Sequence, residues 1–184
     1  MNTAFIVHGA RSSPKENWFP WLKEQLQKLG YKVYVPQFPT PENQSLDSWD
    51  KAFQPFLDKI TEESVVIGHS VGVPFLLHIL QNLHVEIKAS FFVGGFISAL
   101  GNERFDSINK TFIEQDFHWQ SIKHHCREFT LFHGEDDPYV PLDKAEELNS
   151  HLHGELIVIE NGGHLNAEAG FTEFPQLLEK IRQL

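Results

Sequence analysis

With 184 residues and a formal net charge of -10, the chain is long enough for one domain, and it carries the wrong sign for a nucleic-acid backbone or an anionic membrane. No Lys/Arg cluster interrupts that acidity, and no apolar run is long enough to span a bilayer. A lone cysteine, Cys126, allows no internal disulfide and fits a cytoplasmic setting, as does an opening segment without the features of a secretory signal.

The elements alternate between strand and helix, which predicts an α/β domain with a mostly parallel sheet and helices on both faces. Ala4-Phe5-Ile6-Val7 reads as the first strand. Ser13 as N-cap, Pro14 at the first helical position and Glu16 completing a capping box predict a helix start there. Its apolar face is Trp18, Trp21, Leu22, Leu26 and Leu29, and Gly30 stops it. Tyr31 to Val35 forms the second strand, ended by Pro36. A helix carrying Leu46, Trp49, Phe53, Phe56 and Ile60 follows, with a kink or break expected at Pro55. Ser64 to Ile67 is the third strand, and Val73, Leu76, Leu77, Leu80 and Leu83 mark the next helix. Strands over Ala89–Gly94, Phe129–Phe132 and Leu156–Ile159, with helices over Pro141–Leu152 and Phe171–Leu184, complete the alternation. Residues 96–127 break it: Phe105, Phe112, Phe117 and Trp119 recur without a sustained period, as in a cap-like insertion over a sheet edge. No repeat or linker divides residues 1–184, so a single domain is expected.

Gly68-His69-Ser70-Val71-Gly72 joins the third strand to its helix. Glycine two residues either side of a serine, on a strand-to-helix turn, is the nucleophile elbow of α/β-hydrolases. A serine hydroxyl needs a base to take its proton and an acid to orient that base. His133-Gly134-Glu135-Asp136-Asp137-Pro138 follows the fifth strand and Asn161-Gly162-Gly163-His164 the sixth, in the order Ser, Asp, His. Both loops lie beyond the C-terminal ends of parallel strands, where such sheets bind ligands. Ser70 is thus the candidate nucleophile, His164 the base and Asp137 the acid. Asp137 is preferred to Asp136 because Gly134 and Pro141 flank it in the pattern Gly-x-x-Asp-x-x-x-Pro, and because Pro138 restricts its backbone. The backbone N–H groups of Val71 and Ala10 are the expected oxyanion donors. His8, Gly9 and His69 are expected to line the site, with His8 chiefly holding its loop.

His124-His125 and His151-Leu152-His153 lack accompanying ligands at metal spacing, and no phosphate loop or dinucleotide fingerprint occurs. Neither metal nor cofactor is therefore expected. Cys126 reads as a buried small residue.

The chain resembles the small serine hydrolases of the retinoblastoma-binding-protein-9/YdeN family. The resemblance rests on His8-Gly9, Asn17-Trp18-Phe19-Pro20-Trp21-Leu22, Pro39 to Trp49, the elbow, Asp136-Asp137-Pro138 and Gly162-Gly163-His164, with Gly170 to Pro175 closer to the bacterial branch. It implies a compact α/β-hydrolase with strand order 2-1-3-4-5-6, lacking the first two strands of larger relatives, and a triad of Ser70, Asp137 and His164. Two departures stand out: no glycine run follows His8-Gly9, and the Leu-x-Cys-x-Glu motif for retinoblastoma-protein binding is absent before the elbow, where the chain reads Leu57-Asp58-Lys59-Ile60-Thr61. That partner is not carried over. The expected function is hydrolysis of a small-molecule carboxylic ester, or an amide or thioester, through an acyl-enzyme. The competing expectation is a hydrolase-shaped interaction protein with a slow or vestigial site.

Overall fold

The computed structural model describes residues 2–184. Six parallel strands form one sheet: β1 (Thr3–Val7), β2 (Lys32–Tyr34), β3 (Ser64–His69), β4 (Ile87–Val93), β5 (Cys126–Gly134) and β6 (Glu155–Ile159), in the order β2-β1-β3-β4-β5-β6. Every residue of β1 and β3 is buried, as expected of strands covered by helices on both faces. Alternation then sorts their side chains. Ala4, Ile6, Val65 and Ile67 pack with α1 (Phe19–Lys28) and α7 (Pro175–Arg182). Phe5, Val7 and Val66 pack on the opposite face with α2 (Leu46–Leu57) and α3 (Gly72–Gln81). Helices α4 (Glu103–Ile113), α5 (Trp119–His124) and α6 (Leu142–Leu152) contribute Phe112, Ile122 and Leu148 to that second face.

The register carries the functional consequence. Val7 lies opposite Gly68, His69 opposite Val93, Val93 opposite Phe132, and Gly134 opposite Ile159. The strands therefore end together, and the loops after β1, β3, β4, β5 and β6 gather at one edge.

Several boundaries differ from the sequence expectation. The Ser13–Glu16 signature is present as a reciprocal turn, with the Ser13 N–H donating to Glu16 Oε2 at 2.8 Å and the Glu16 N–H to the Ser13 carbonyl at 3.2 Å. It caps no helix, because Asn17 takes a left-handed φ of 54° that helical backbone does not allow; α1 starts at Phe19, with Pro20 in its first turn. Leu29, assigned to the apolar face, is exposed beyond the helix end. Helix α2 runs through Pro55 without a break and ends at Leu57, leaving Ile60 beyond it. Helix α7 starts at Pro175, later than expected, since the residue before a proline is pushed out of helical backbone and Phe174 sits at φ -139°, ψ 73°. Residues 96–127 hold α4, α5 and the start of β5. The period of α4 is masked because buried Asn109 sits between Phe105 and Phe112 and accepts a hydrogen bond from Gln44 Nε2 at 2.9 Å.

Candidate active site

Ser70 stands between β3 and α3 with φ 55°, the left-handed region that side chains avoid. Such strain persists only where packing over-determines it, and Gly72 shows how tight that packing is. A Cβ there would lie 2.7 Å from the Val7 carbonyl oxygen and 2.9 Å from that of His8. The central helix α3 can cross β1 this closely only with glycine at its first position. The Ser70 N–H donates to the Val93 carbonyl at 2.9 Å, tying the turn to β4.

His164, which lines the same cavity as Ser70, pairs with Asp137. His164 Nδ1 donates to Asp137 Oδ2 at 2.7 Å, and the Asp137 side chain is fully buried. Asp137 Oδ1 accepts the N–H groups of Tyr139 at 2.9 Å and Val140 at 3.0 Å. Burial alone would push this carboxyl up, but the His164 hydrogen bond and charge, with the two amides, hold it below the ordinary carboxylate value. Gly94, with φ 57°, leaves room for the imidazole: a Cβ there would lie 3.1 Å from His164 Cε1. Asp136 does other work, its Oδ1 accepting the Gly163 N–H at 2.8 Å.

A cavity of about 410 Å³ opens over these groups, and Ser70, His164, Gly9, Ala10 and His69 all line it. Among the described residues no hydrogen bond joins Ser70 to His164, a contact that often tightens only when substrate binds. The Val71 side chain is buried in the core, and among the described residues no hydrogen bond engages the N–H of Val71 or Ala10. The expectation that His8 lines the site is corrected. It lies behind the wall, donating from Nδ1 to the Gly9 carbonyl at 2.8 Å and accepting the Phe38 N–H at Nε2 at 3.0 Å, because the segment after β2 covers it with Phe38 and Trp49.

The loop bearing His164 is held at four successive points. Besides Asp136, His69 Nε2 donates to the His164 carbonyl at 2.9 Å, and Trp18 Nε1 donates to the Leu165 carbonyl at 2.8 Å. The Ala167 N–H donates to Asn17 Oδ1 at 2.9 Å. His133 Nε2 similarly donates to the Val140 carbonyl at 2.8 Å and steadies the loop of Asp137. Sequence reasoning missed His133, Trp18 and Asn17 in these positions. For His133, its place at the head of the Gly134-to-Pro141 pattern was an available signal.

His8, His69 and His133 are buried and held neutral. Burial chiefly, then the charge of His164, pushes His69 down to about 3. Since these values lie below the ordinary 6.5, the unfolded chain binds more protons as pH falls through 6.5. The stability they contribute is therefore complete above 6.5 and is lost toward the folded values. From His69 alone the expected loss between pH 6.5 and 5 is about 2 kcal/mol. Urea unfolding across that range checks this, and His69→Asn should flatten the slope; an unchanged slope would refute it.

Among the described residues no three His, Cys, Asp or Glu side chains converge to hold a metal ion. His151 instead stacks on Trp119, with centroids 4.3 Å apart. Burial pushes the Cys126 thiol up to about 12, against a hydrogen bond with Ser90 that acts to lower it. No described helix is long and apolar enough to cross a membrane.

A parallel sheet of this order with a strained serine at the β3–α3 turn defines an α/β-hydrolase. A family model described as serine hydrolase matches residues 4–183. The chain belongs to that family, in the branch that includes YdeN and RBBP9. It is 27% identical to the putative hydrolase YdeN of Bacillus subtilis, over 93% of this chain and 90% of YdeN. To the serine hydrolase RBBP9 of Rattus norvegicus it is 23% identical, over 96% of this chain and 91% of that protein. The crystal structure of the ydeN gene product from B. subtilis superposes with a TM-score of 0.92 at 25% identity, covering all of this chain and 98% of the other.

Proposed function

We propose that the protein hydrolyses a small carboxylic ester through an acyl-enzyme formed on Ser70. The observation that carries this reading is the buried Asp137–His164 hydrogen bond of 2.7 Å beside Ser70 in a shared cavity. With Nδ1–H committed to Asp137, His164 is left with its Nε2 lone pair as the base. Ser70 Oγ attacks the ester carbonyl carbon and its proton passes to Nε2. The oxyanion of the tetrahedral intermediate accepts the N–H groups of Val71 and Ala10, each such donor being worth roughly 3–4 kcal/mol. Collapse breaks the ester C–O bond, and the imidazolium protonates the departing alcohol. Water then repeats the sequence with His164 as base and releases the acid. Neither metal nor organic cofactor enters these steps. The lone, buried Cys126 supports a reducing, cytoplasmic setting for the enzyme.

Fluorophosphonate labelling tests the reading, because only a base-activated serine reacts quickly. Rapid labelling at neutral pH, mapped to the peptide containing Ser70, is expected. An unlabelled native protein would favour the interaction-protein alternative.

A further inference from the structure

The cavity over Ser70 has wall chemistry that ester hydrolysis alone does not use. The chain has four arginines. Arg127 pairs with Glu86 at 3.2 Å and Arg182 with Glu179 at 3.7 Å. The other two, Arg11 and Arg104, both line the cavity, and among the described residues neither is paired with a carboxylate. They reach it from separate parts of the fold. Arg11 follows Ala10 in the loop after β1, and Arg104 lies in the first turn of α4.

Two carboxylates share the wall, each with one oxygen held by a neutral donor and neither within ion-pair distance of an arginine among the described residues. Glu16 Oε2 accepts the Ser13 N–H at 2.8 Å, and Glu168 Oε2 accepts the Tyr139 hydroxyl at 2.7 Å. Asp106, on the same helix as Arg104, spends its oxygens on the N–H groups of Leu100 at 2.7 Å and Asn102 at 3.0 Å. Asn102 Oδ1 in turn accepts the Arg104 N–H at 3.1 Å, so the backbone that carries this guanidinium is fixed. Among the described residues, the side-chain donors of both arginines have no hydrogen-bond or ion-pair partner.

The residue type is informative too. Eleven lysines outnumber the arginines, yet no lysine lines this cavity. Both arginine side chains there are planar forks, suited to gripping a carboxylate through two parallel hydrogen bonds. In a chain of net charge -10, half of the arginines lie on this one cavity, unpaired among the described residues.

Resting on the hydrolase reading, we infer that the natural substrate is an ester bearing a second, free carboxylate, which Arg11 and Arg104 bind while Ser70 attacks the ester carbonyl. That carboxylate takes no part in bond making or breaking. It fixes where the scissile carbonyl lies, lowering the cost of orientation. It can sit on the acyl side, as in a half-ester of a dicarboxylic acid, or on the leaving side, as in an ester of a hydroxy acid.

Paired substrates separate the two sources. Mono-4-nitrophenyl adipate is compared with 4-nitrophenyl hexanoate for the acyl side, and 4-acetoxybenzoate with its methyl ester for the leaving side, each corrected for uncatalysed hydrolysis. In one arm the carboxylate should raise kcat/KM by about tenfold or more, as charge-assisted hydrogen bonds imply. Arg104→Gln should bring that ratio toward one, and Arg104→Glu should shift preference to 4-nitrophenyl 6-aminohexanoate. Partial misfolding slows charged and neutral esters alike and leaves the ratio unmoved. If Ser70 takes the fluorophosphonate and neutral esters turn over, but neither carboxylate arm is faster, the substrate class is wrong and the hydrolase reading stands. If neither probe nor any ester reacts, both readings fall together.

Discussion

Ser70→Ala is expected to abolish ester hydrolysis and fluorophosphonate labelling while leaving the fold intact. Loss of a nucleophile of this kind costs on the order of 10⁶ in turnover, because base, acid and oxyanion donors act only through it. The stability cost is small for a structural reason: the Ser70 backbone donates to Val93, and that contact survives removal of the hydroxyl. Ser70→Gly separates the two roles further. It removes the Cβ from a residue at φ 55°, relieving about 1 kcal/mol of left-handed strain, and it is equally inactive. Steady-state rates alongside urea unfolding of the three proteins check both statements. A variant at position 70 that kept a substantial fraction of the esterase rate would remove the serine from the mechanism.

That strain also explains why the elbow is legible in a sequence. Its glycines, serine and flanking hydrophobic strand all answer to local sterics, and Gly72 against the Val7 carbonyl is a contact only one residue type allows. The strands are legible for a similar reason, since continuous burial such as that of Ala4–Val7 favours an unbroken apolar run. The start of α1 shows where local signals mislead. Ser13, Pro14 and Glu16 satisfy one another as a capping box would, but left-handed Asn17 turns the chain before a helix forms. Asn17 then serves the distant loop of His164 through the Ala167 N–H.

The supports of the site are illegible for a different reason. His69, His133 and Trp18 all donate to backbone carbonyls, which every residue has, so no partner residue type marks the pairing. Arg104 and Phe105 reach the cavity from α4, whose position is tied in part by the Asn109–Gln44 hydrogen bond. Two polar residues far apart in the chain give no period to read. Residues that form or break bonds are constrained by chemistry and local turn geometry, whereas residues that shape the pocket depend on how one helix is laid down.

Asp137→Asn is the second large loss expected, and the hydrogen bonds dictate its form. The native carboxylate accepts on both oxygens, from His164 Nδ1–H on Oδ2 and from the Tyr139 and Val140 amides on Oδ1. An asparagine has one accepting and one donating end. If its NH₂ faced the two amides, three N–H groups would crowd together, so it must face His164. The imidazole then accepts at Nδ1 and carries its proton on Nε2, the position from which it should take the serine proton. Turnover is expected to fall about 10⁴-fold by this change of tautomer. Nitrogen NMR of the His164 ring should show the proton moved from Nδ1 to Nε2. Asp136→Asn keeps an accepting oxygen for the Gly163 N–H and leaves the tautomer alone, so its effect should be much smaller. If Asp136→Asn proved the more damaging change, the acid would have been assigned to the wrong carboxylate.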